Sequence, residues 1–476
     1  MLPGPRGTRR VHPNLILAVL SLAALVYAVL SSAVIPALPT IQRSLQASET
    51  GVTWLLTGFL LSASVGTAII GKLGDMHGKQ RLLVWTLLTL AAGTLLGALS
   101  GSLAVLIVAR VVQGVAGGIF PLAFSIVRDE FPADRVAGSI GLMSAILGVG
   151  GGLGLVVGGL IDEHLNWHWL FWIPLPAMIL AAFCAWRYIP ESPVRSPGRV
   201  NWAAAVLMTT GMSCVLIAIA QTTVWGWTGP PTLVLLAAGL AVCGWWILVE
   251  LRSRNPLIDM TMMRVRGVWT VNLAAFLLGA GLYSWFLLLP QLAQLPASTG
   301  FGYGASVVAA GLYLLPCALG MGVLGSVAGR VERRFSSRSA LIAGAAVSAV
   351  ACGWLTITSR YPYDMLLSSM LLGVGIGLAF AALGNLIVQA VPPHQTGVAS
   401  GMNTVLRTLG GALGGQLAAT FVAASSVHGL PTLTGFTRTF AMSALFLACC
   451  VGAGLLVPAR PRAVTPLQPA AITKSG

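Results

Sequence analysis

Charge is what this chain of 476 residues has least of. Only 8% of the residues are charged against 56% hydrophobic, and the mean hydropathy is +0.87. Soluble domains carry about 25% charged residues, so a water-soluble chain is excluded. Lysine occurs only at 72, 79 and 474, and the 12 acids all fall at the ends of apolar runs or between them. No polar stretch is long enough for a soluble sensory domain, and no catalytic cluster is present, so an enzyme or a receptor is not expected. All seven cysteines lie inside apolar runs with no CxxC spacing, which excludes a disulfide or metal framework and leaves them as small buried hydrophobes. His164 and His168 are four apart but lack a third metal ligand. Neither metal nor cofactor is expected.

What the chain does have is long hydrophobic runs. About 20 apolar residues cross the ~30 Å hydrocarbon core, and fourteen such spans can be read: 15–38, 52–70, 82–100, 104–126, 138–161, 169–188, 201–221, 231–250, 267–290, 305–328, 338–358, 364–390, 400–424 and 439–457. Each is expected to be a helix, because backbone in lipid must satisfy its own hydrogen bonds and no alternating ~10-residue barrel pattern appears. Arg6, Arg9 and Arg10 precede a run longer than the ~7–15-residue core of a cleavable signal peptide, which reads as a retained first helix.

The formal charge is +15, but its placement matters more than its size. With the N-terminus inside, 22 of the 27 basic residues fall in inside segments, Arg43, Arg360 and Arg438 outside, and Arg110 and Arg407 within spans. The positive-inside rule then puts both termini in the cytoplasm of a multi-pass plasma-membrane protein. Lipid, not nucleic acid, is the partner this pattern implies.

A weak internal repeat orders the spans. The segment from Val136 aligns with that from Val398 at a shift of 262 residues, superposing Gly148 on Gly410 and Gly152 on Gly414. The stretch Gly71–Arg81, GKLGDMHGKQR, has a degraded echo in GSVAGRVERRF from Gly325. Carriers are commonly built from such repeats. The expected division is a tail at 1–14, a six-helix bundle at 15–188, an inserted two-helix segment at 189–266, a second bundle at 267–457 and a tail at 458–476.

These motifs resemble the major facilitator superfamily and, within it, the fourteen-helix drug:proton antiporter family, over essentially the whole chain. The turn after the second span matches a family signature through Gly71, Leu73, Gly74, Asp75, Gly78, Lys79 and Arg81. The fourth span carries Arg110, Gln113, Gly114 and Gly117, and the fifth carries Gly150, Gly154, Gly158 and Gly159, with Leu155 where the antiporter signature has proline. The fold implied is all-α, two six-helix bundles plus two inserted helices.

An Asp75 carboxylate at a helix end can accept from exposed N–H groups and favour a positive dipole end, while Lys79 and Arg81 suit an anionic leaflet. The resemblance implies that Asp75 latches the bundles on the cytoplasmic side. Glycines 150, 154 and 158 share one helix face and permit close approach, read here as a sliding contact during alternating access. Arg110 and Arg407 each cost at least ~2.5–3.5 kcal/mol to place in a membrane, so each needs a partner or a cavity. Polar and aromatic residues inside spans that qualify for substrate are Asn272, Tyr283, Asn385, Gln389, Asn403 and Arg407, with Gln113, Trp54, Trp285, Tyr313 and Phe380 as further candidates.

The chain departs from the family at the first helix, where Leu30 and Ile35 stand in place of its aspartate and asparagine. Without a carboxylate inside any span, neutral or anionic amphipathic substrates are favoured over cations. Proton coupling then falls to peripheral groups, His168 with Asp162 or Glu163 at one end and Asp129 or Glu130 at the other, or transport is not proton-driven. The function expected is export of drugs, antibiotics or other small amphipathic compounds by alternating access. A lipid or metabolite exporter and an uptake carrier of the same superfamily are the alternatives.

Overall fold

Backbone amides in hydrocarbon have no water to bond, and the chain answers with helix from end to end. The computed structural model describes residues 12–192, 201–253, 256–358, 361–426 and 431–458. Most of the two expected tails, and residues 193–200 of the expected linker, lie outside these. Fourteen long helices are described: α1 Pro13–Ala33, α2 Glu49–His77, α3 Lys79–Ala98, α4 Leu103–Glu130, α5 Ala133–His164, α6 Trp169–Tyr188, α7 Trp202–Ala220, α8 Pro230–Arg252, α9 Arg266–Gln294, α10 Val307–Phe335, α11 Ser337–Ile357, α12 Pro362–Ala390, α13 Thr396–Ala424 and α14 Leu433–Leu456. Thirteen are long and apolar enough to cross a membrane. The exception, α13, is 29 residues long, and Asn403, Arg407, Gln416 and its glycines and threonines lower its hydropathy.

Several boundaries differ from the sequence reading for local reasons. The run 15–38 ends early, at Ala33, because Pro36 and Pro39 cannot continue a helix, and a short helix Leu38–Ser44 follows. The charged segment 71–81 is not a loop. Helix α2 runs through it to His77, and one residue, Gly78 at φ +114°, turns the chain into α3. Helices α10 and α11 meet in the same way around Ser336, at φ +85°. Helix α4 tightens to a 3₁₀ turn over Val115–Gly118, where Gly114 and Gly117 let α2 come within backbone contact.

Helices α1–α6 form one bundle and α9–α14 the other. They meet along two crossings, α5 on α10 and α2 on α13, which the internal repeat makes equivalent. Helix α7 packs on α8 and also touches α2 and α13, leaving α8 the least buried of the spans. Lys79, Arg81, Arg128, Arg135, Arg333 and Arg338 cluster at one end of the bundles, called the basic end below. There Arg338 and Arg266 donate to the last carbonyls of α14, at Gly454, Leu455 and Leu456, closing a helix end that would otherwise hold unpaired acceptors.

Candidate functional site

The contact across the bundles at the basic end begins with α13. Its first N–H groups have no partner inside the helix, and its N-cap residue Gln395 supplies no side-chain bond. Asp75 on α2 takes that place from the opposite bundle: Oδ1 accepts from the Gly397 N–H at 3.3 Å and Oδ2 from the Val398 N–H at 3.2 Å. The carboxylate is 1% exposed. Gly71, one turn earlier, is what lets the helices come so close, since a Cβ on it would strike the Gly397 carbonyl. Gly74 makes room for Leu122. Beside this pair Arg128 of α4 donates to Thr396 Oγ1 at 2.6 Å and to the Val391 carbonyl at 2.9 Å, a second bond between bundles.

Lys79 does not face the leaflet as expected. It is 0% exposed and pairs with Asp129, because the tight turn at Gly78 points it inward against the end of α4. Asp129 also accepts from Ser192 Oγ at 2.5 Å. That aspartate, named above as a proton carrier, is therefore engaged within its own bundle. Arg81 stays exposed, its Nε 3.7 Å from Glu191 Oε2. Glu130 is half-buried, with no ion pair or hydrogen bond among the described residues.

The second crossing has its own device. By the repeat Gly329 corresponds to Asp75, and it lies directly against Ala137 and Gly138 of α5 with no carboxylate between. The bonds come instead from Asn385 of α12, whose Nδ2 donates to the Ala137 carbonyl at 3.1 Å and to both Glu332 oxygens at 3.0 Å. Ser337 also donates to Glu332. Burial pushes the Glu332 carboxyl up from its ordinary range, opposed by the hydrogen bonds from Ser337 and Asn385. Arg333 adds a bond to the Asp134 carbonyl at 3.1 Å. Asn385, read as a substrate candidate, is thus placed between the bundles at the basic end. Glu332 is one of the acids at the end of an apolar run, and it sits in the echo of the 71–81 motif.

In the middle of the first bundle Arg110 is fully buried. Its Nε donates to the Leu55 carbonyl at 3.2 Å, its Nη1 to Gln113 Oε1 at 2.9 Å and the Leu30 carbonyl at 3.4 Å, and its Nη2 to the Ser31 carbonyl at 3.4 Å. Leu30 and Ser31 carry two of the last four carbonyls of α1, which ends at Ala33, so the guanidinium caps that end. Phe59 stacks under it at 4.1 Å, and Gln113 is held in turn by Thr94 at 3.1 Å. Arg407, on α13, is only half-buried and lies 4.7 Å from the centre of the Phe380 ring. Tyr283 is 46% exposed near it.

The other polar candidates are elsewhere. Asn403 donates to Asn272 at 3.0 Å inside the second bundle, where Asn272 reaches Met263 Sδ, and Gln389 is exposed at the basic end of α12. Position along the helix, which composition does not reveal, keeps all three from the middle of the membrane. The glycines at 150, 154 and 158 pack on Ala28, Ser32 and Ala33 of α1 in their own bundle. The face of α5 that meets α10 is instead Gly141, Gly148 and Gly152, with Gly159 nearest Val308, so the expected sliding face is the neighbouring one. Gly410 and Gly414 pack on α9 as Gly150 and Gly154 pack on α1, two residues off the sequence alignment.

At the end opposite the basic one, His168 faces Ser100 O at 3.1 Å and Asn166 Oδ1 at 2.8 Å and stacks on Trp167. Asp162 accepts from Thr40 at 2.9 Å and Glu163 is exposed. Neither carboxylate bonds the histidine, so the expected acid–histidine pair is not assembled.

Comparison with known proteins gives one family. The description Major Facilitator Superfamily matches residues 20–415. The chain is 30% identical to the cephamycin export protein CmcT of Amycolatopsis lactamdurans, across 92% of this chain and 90% of that one. It is 29% identical to the tetracenomycin C resistance and export protein of Streptomyces glaucescens, across 86% and 76%, and 26% identical to the lincomycin resistance protein LmrB of Listeria monocytogenes, across 90% of each. Among solved structures, the human organic anion transporter MFSD10 (TETRAN) superposes with a TM-score of 0.67 at 16% identity, covering 93% of this chain and 99% of that one. The proton:xylose symporter XylE gives 0.67 at 14%, covering 94% and 96%. At those identities what is shared is the fold.

Proposed function

This chain belongs to the major facilitator superfamily, and we propose that it exports drug-like or antibiotic-like amphipathic compounds across the plasma membrane by alternating access. The names of its relatives, for export of cephamycin and for export of or resistance to tetracenomycin C, support the direction and the substrate class. The observation that carries the reading is the Asp75 bond to the first turn of α13. It joins the bundles at the basic end through two directional bonds, which can be made and broken as a unit. By the positive-inside rule the basic end is cytoplasmic, and the conformation described here is closed on that side. Opening must break the Asp75, Arg128 and Asn385 bonds and let water in to their groups.

Coupling belongs with the buried acids of this contact, Asp75 and Glu332, rather than with His168. Both hold the moving interface, Asp75 directly and Glu332 through Asn385.

Everted vesicles containing the protein, supplied with neutral, anionic and cationic labelled compounds, test the direction: accumulation inside is expected, and movement only the other way overturns the export reading. Proton and substrate fluxes counted together in proteoliposomes test the coupling. A fixed ratio that survives Asp75→Asn and Glu332→Gln would refute its assignment to these acids.

A further inference from the structure

The two arginines inside the membrane are satisfied very differently. Arg110 spends its donors on the carbonyls of Leu30, Ser31 and Leu55 and on Gln113. Arg407 takes no hydrogen bond or ion pair from any described residue, and its one contact of this kind is the Phe380 ring. A guanidinium presents five N–H donors in a fixed fork, and a cationic face over a ring answers the charge but none of those donors.

The surroundings come from both bundles. Tyr283 of α9 packs its ring on Gly411, one turn along α13 from Arg407. Tyr27 of α1, in the other bundle, lies within electrostatic range of Tyr283, Arg110 and Arg407. Neither tyrosine hydroxyl is engaged by a described residue. Tyr27 also stacks on Phe59 at 5.9 Å and meets Phe120 edge-on at 6.1 Å. The Arg407 backbone is fixed because Gly279 of α9 lies directly on its carbonyl.

We propose that Arg407, with Tyr27, Tyr283 and Phe380, binds the anionic group of an amphipathic substrate, a carboxylate or its equivalent. The assignment rests on the export reading and adds the chemical class of the cargo. A carboxylate offers the fork two parallel bonds, and the tyrosine hydroxyls can donate to its remaining lone pairs. The phenyl and phenol rings take the apolar body. Since Tyr27 stands on one bundle and the other three on the second, a ligand held here touches both moving parts.

The test uses two probes that differ only in charge, 2-naphthylacetate and its neutral amide, titrated by calorimetry into the purified full-length protein in neutral detergent. Wild type is expected to bind the acid at least about tenfold more tightly, ~1.4 kcal/mol. Arg407→Gln should erase that preference, and Arg407→Lys should keep part of it. Thermal unfolding of each variant reports folding, and if Arg407→Gln does not fold, the wild-type and Arg407→Lys preferences decide. Equal binding of acid and amide by wild type, no binding of the acid, or a preference that survives Arg407→Gln would overturn the site. Displacement of naphthylacetate by short-chain phosphatidylglycerol but not phosphatidylcholine would assign the group to a lipid phosphate and overturn the substrate reading. Failed export in vesicles with the acid preference intact would count against the export reading alone.

Discussion

Asp75→Asn changes one atom in the contact that closes the basic end, and its effect can be worked out from the bonds. The carboxylate accepts two backbone N–H groups at 3.2–3.3 Å in a site 1% exposed. Asparagine can still accept one of them through its carbonyl oxygen, but it turns an NH2 toward the other N–H and removes the charge that favours a helix N-terminus. A hydrogen bond to a charged group contributes about 1.5–3 kcal/mol and the dipole term up to ~2 kcal/mol in a partly buried setting. Allowing for the bond that remains, a loss of about 2 kcal/mol is expected, roughly 30-fold in the ratio of closed to open. A closed state held at about 99:1 would fall to about 3:1. Spin labels at positions 81 and 389, both exposed and on opposite bundles, report this in a background with the seven cysteines replaced. The variant should show a second, longer distance that wild type lacks, together with slower transport. An unchanged distance distribution with wild-type transport would refute the latch.

The other expectations use the same measurements. Burial raises the Glu332 carboxyl, so the closed form holds its proton more tightly than the open, hydrated one. Closure is therefore strengthened at low pH and weakened as pH rises above the ordinary glutamate value of ~4.3; Glu332→Gln should flatten that dependence in the distance measurement, and an unaltered profile would remove Glu332 from it. Arg110→Ala removes the donor to the last-turn carbonyls of α1 at Leu30 and Ser31 and to Gln113 Oε1, and should lower thermal stability in detergent by roughly 2–4 kcal/mol. Arg110→Lys should recover little, because one ammonium cannot reach α1, α2 and Gln113 together. His168→Gln is expected to leave the pH dependence of transport as it is, since the ring bonds Ser100 and Asn166 rather than an acid; a flattened profile would restore it as a coupling group.

The helix count, the two-bundle division and the place of Asp75 at a helix end could all be read from the sequence, because each follows from a constraint that leaves a local trace. Span length is fixed by the bilayer, and the 71–81 motif carries its glycines and aspartate within eleven residues. What could not be read depends on rotation about a helix axis and on depth. Glycines 150, 154 and 158 announce a face without naming the helix it meets. Asn272, Asn385, Gln389 and Asn403 are polar residues in apolar runs, yet all lie toward the basic end. Lys79 looks like a leaflet anchor until Gly78, at φ +114°, is seen to turn it onto Asp129.

The missing acid of the first helix shows how such a gap is filled. With Leu30 at that position, the α1 segment that meets Arg110 offers its backbone carbonyls, and those of Leu30 and Ser31 belong to the last turn of the helix, where they can accept. Arg110 is thereby neutralised by dipoles instead of by a carboxylate, which ties it to architecture. The one membrane-embedded cation left without acceptors among the described residues is Arg407 on the opposite bundle. On the proposal above Arg407 is the group that receives an anion, and the acid-to-amide preference measures that directly.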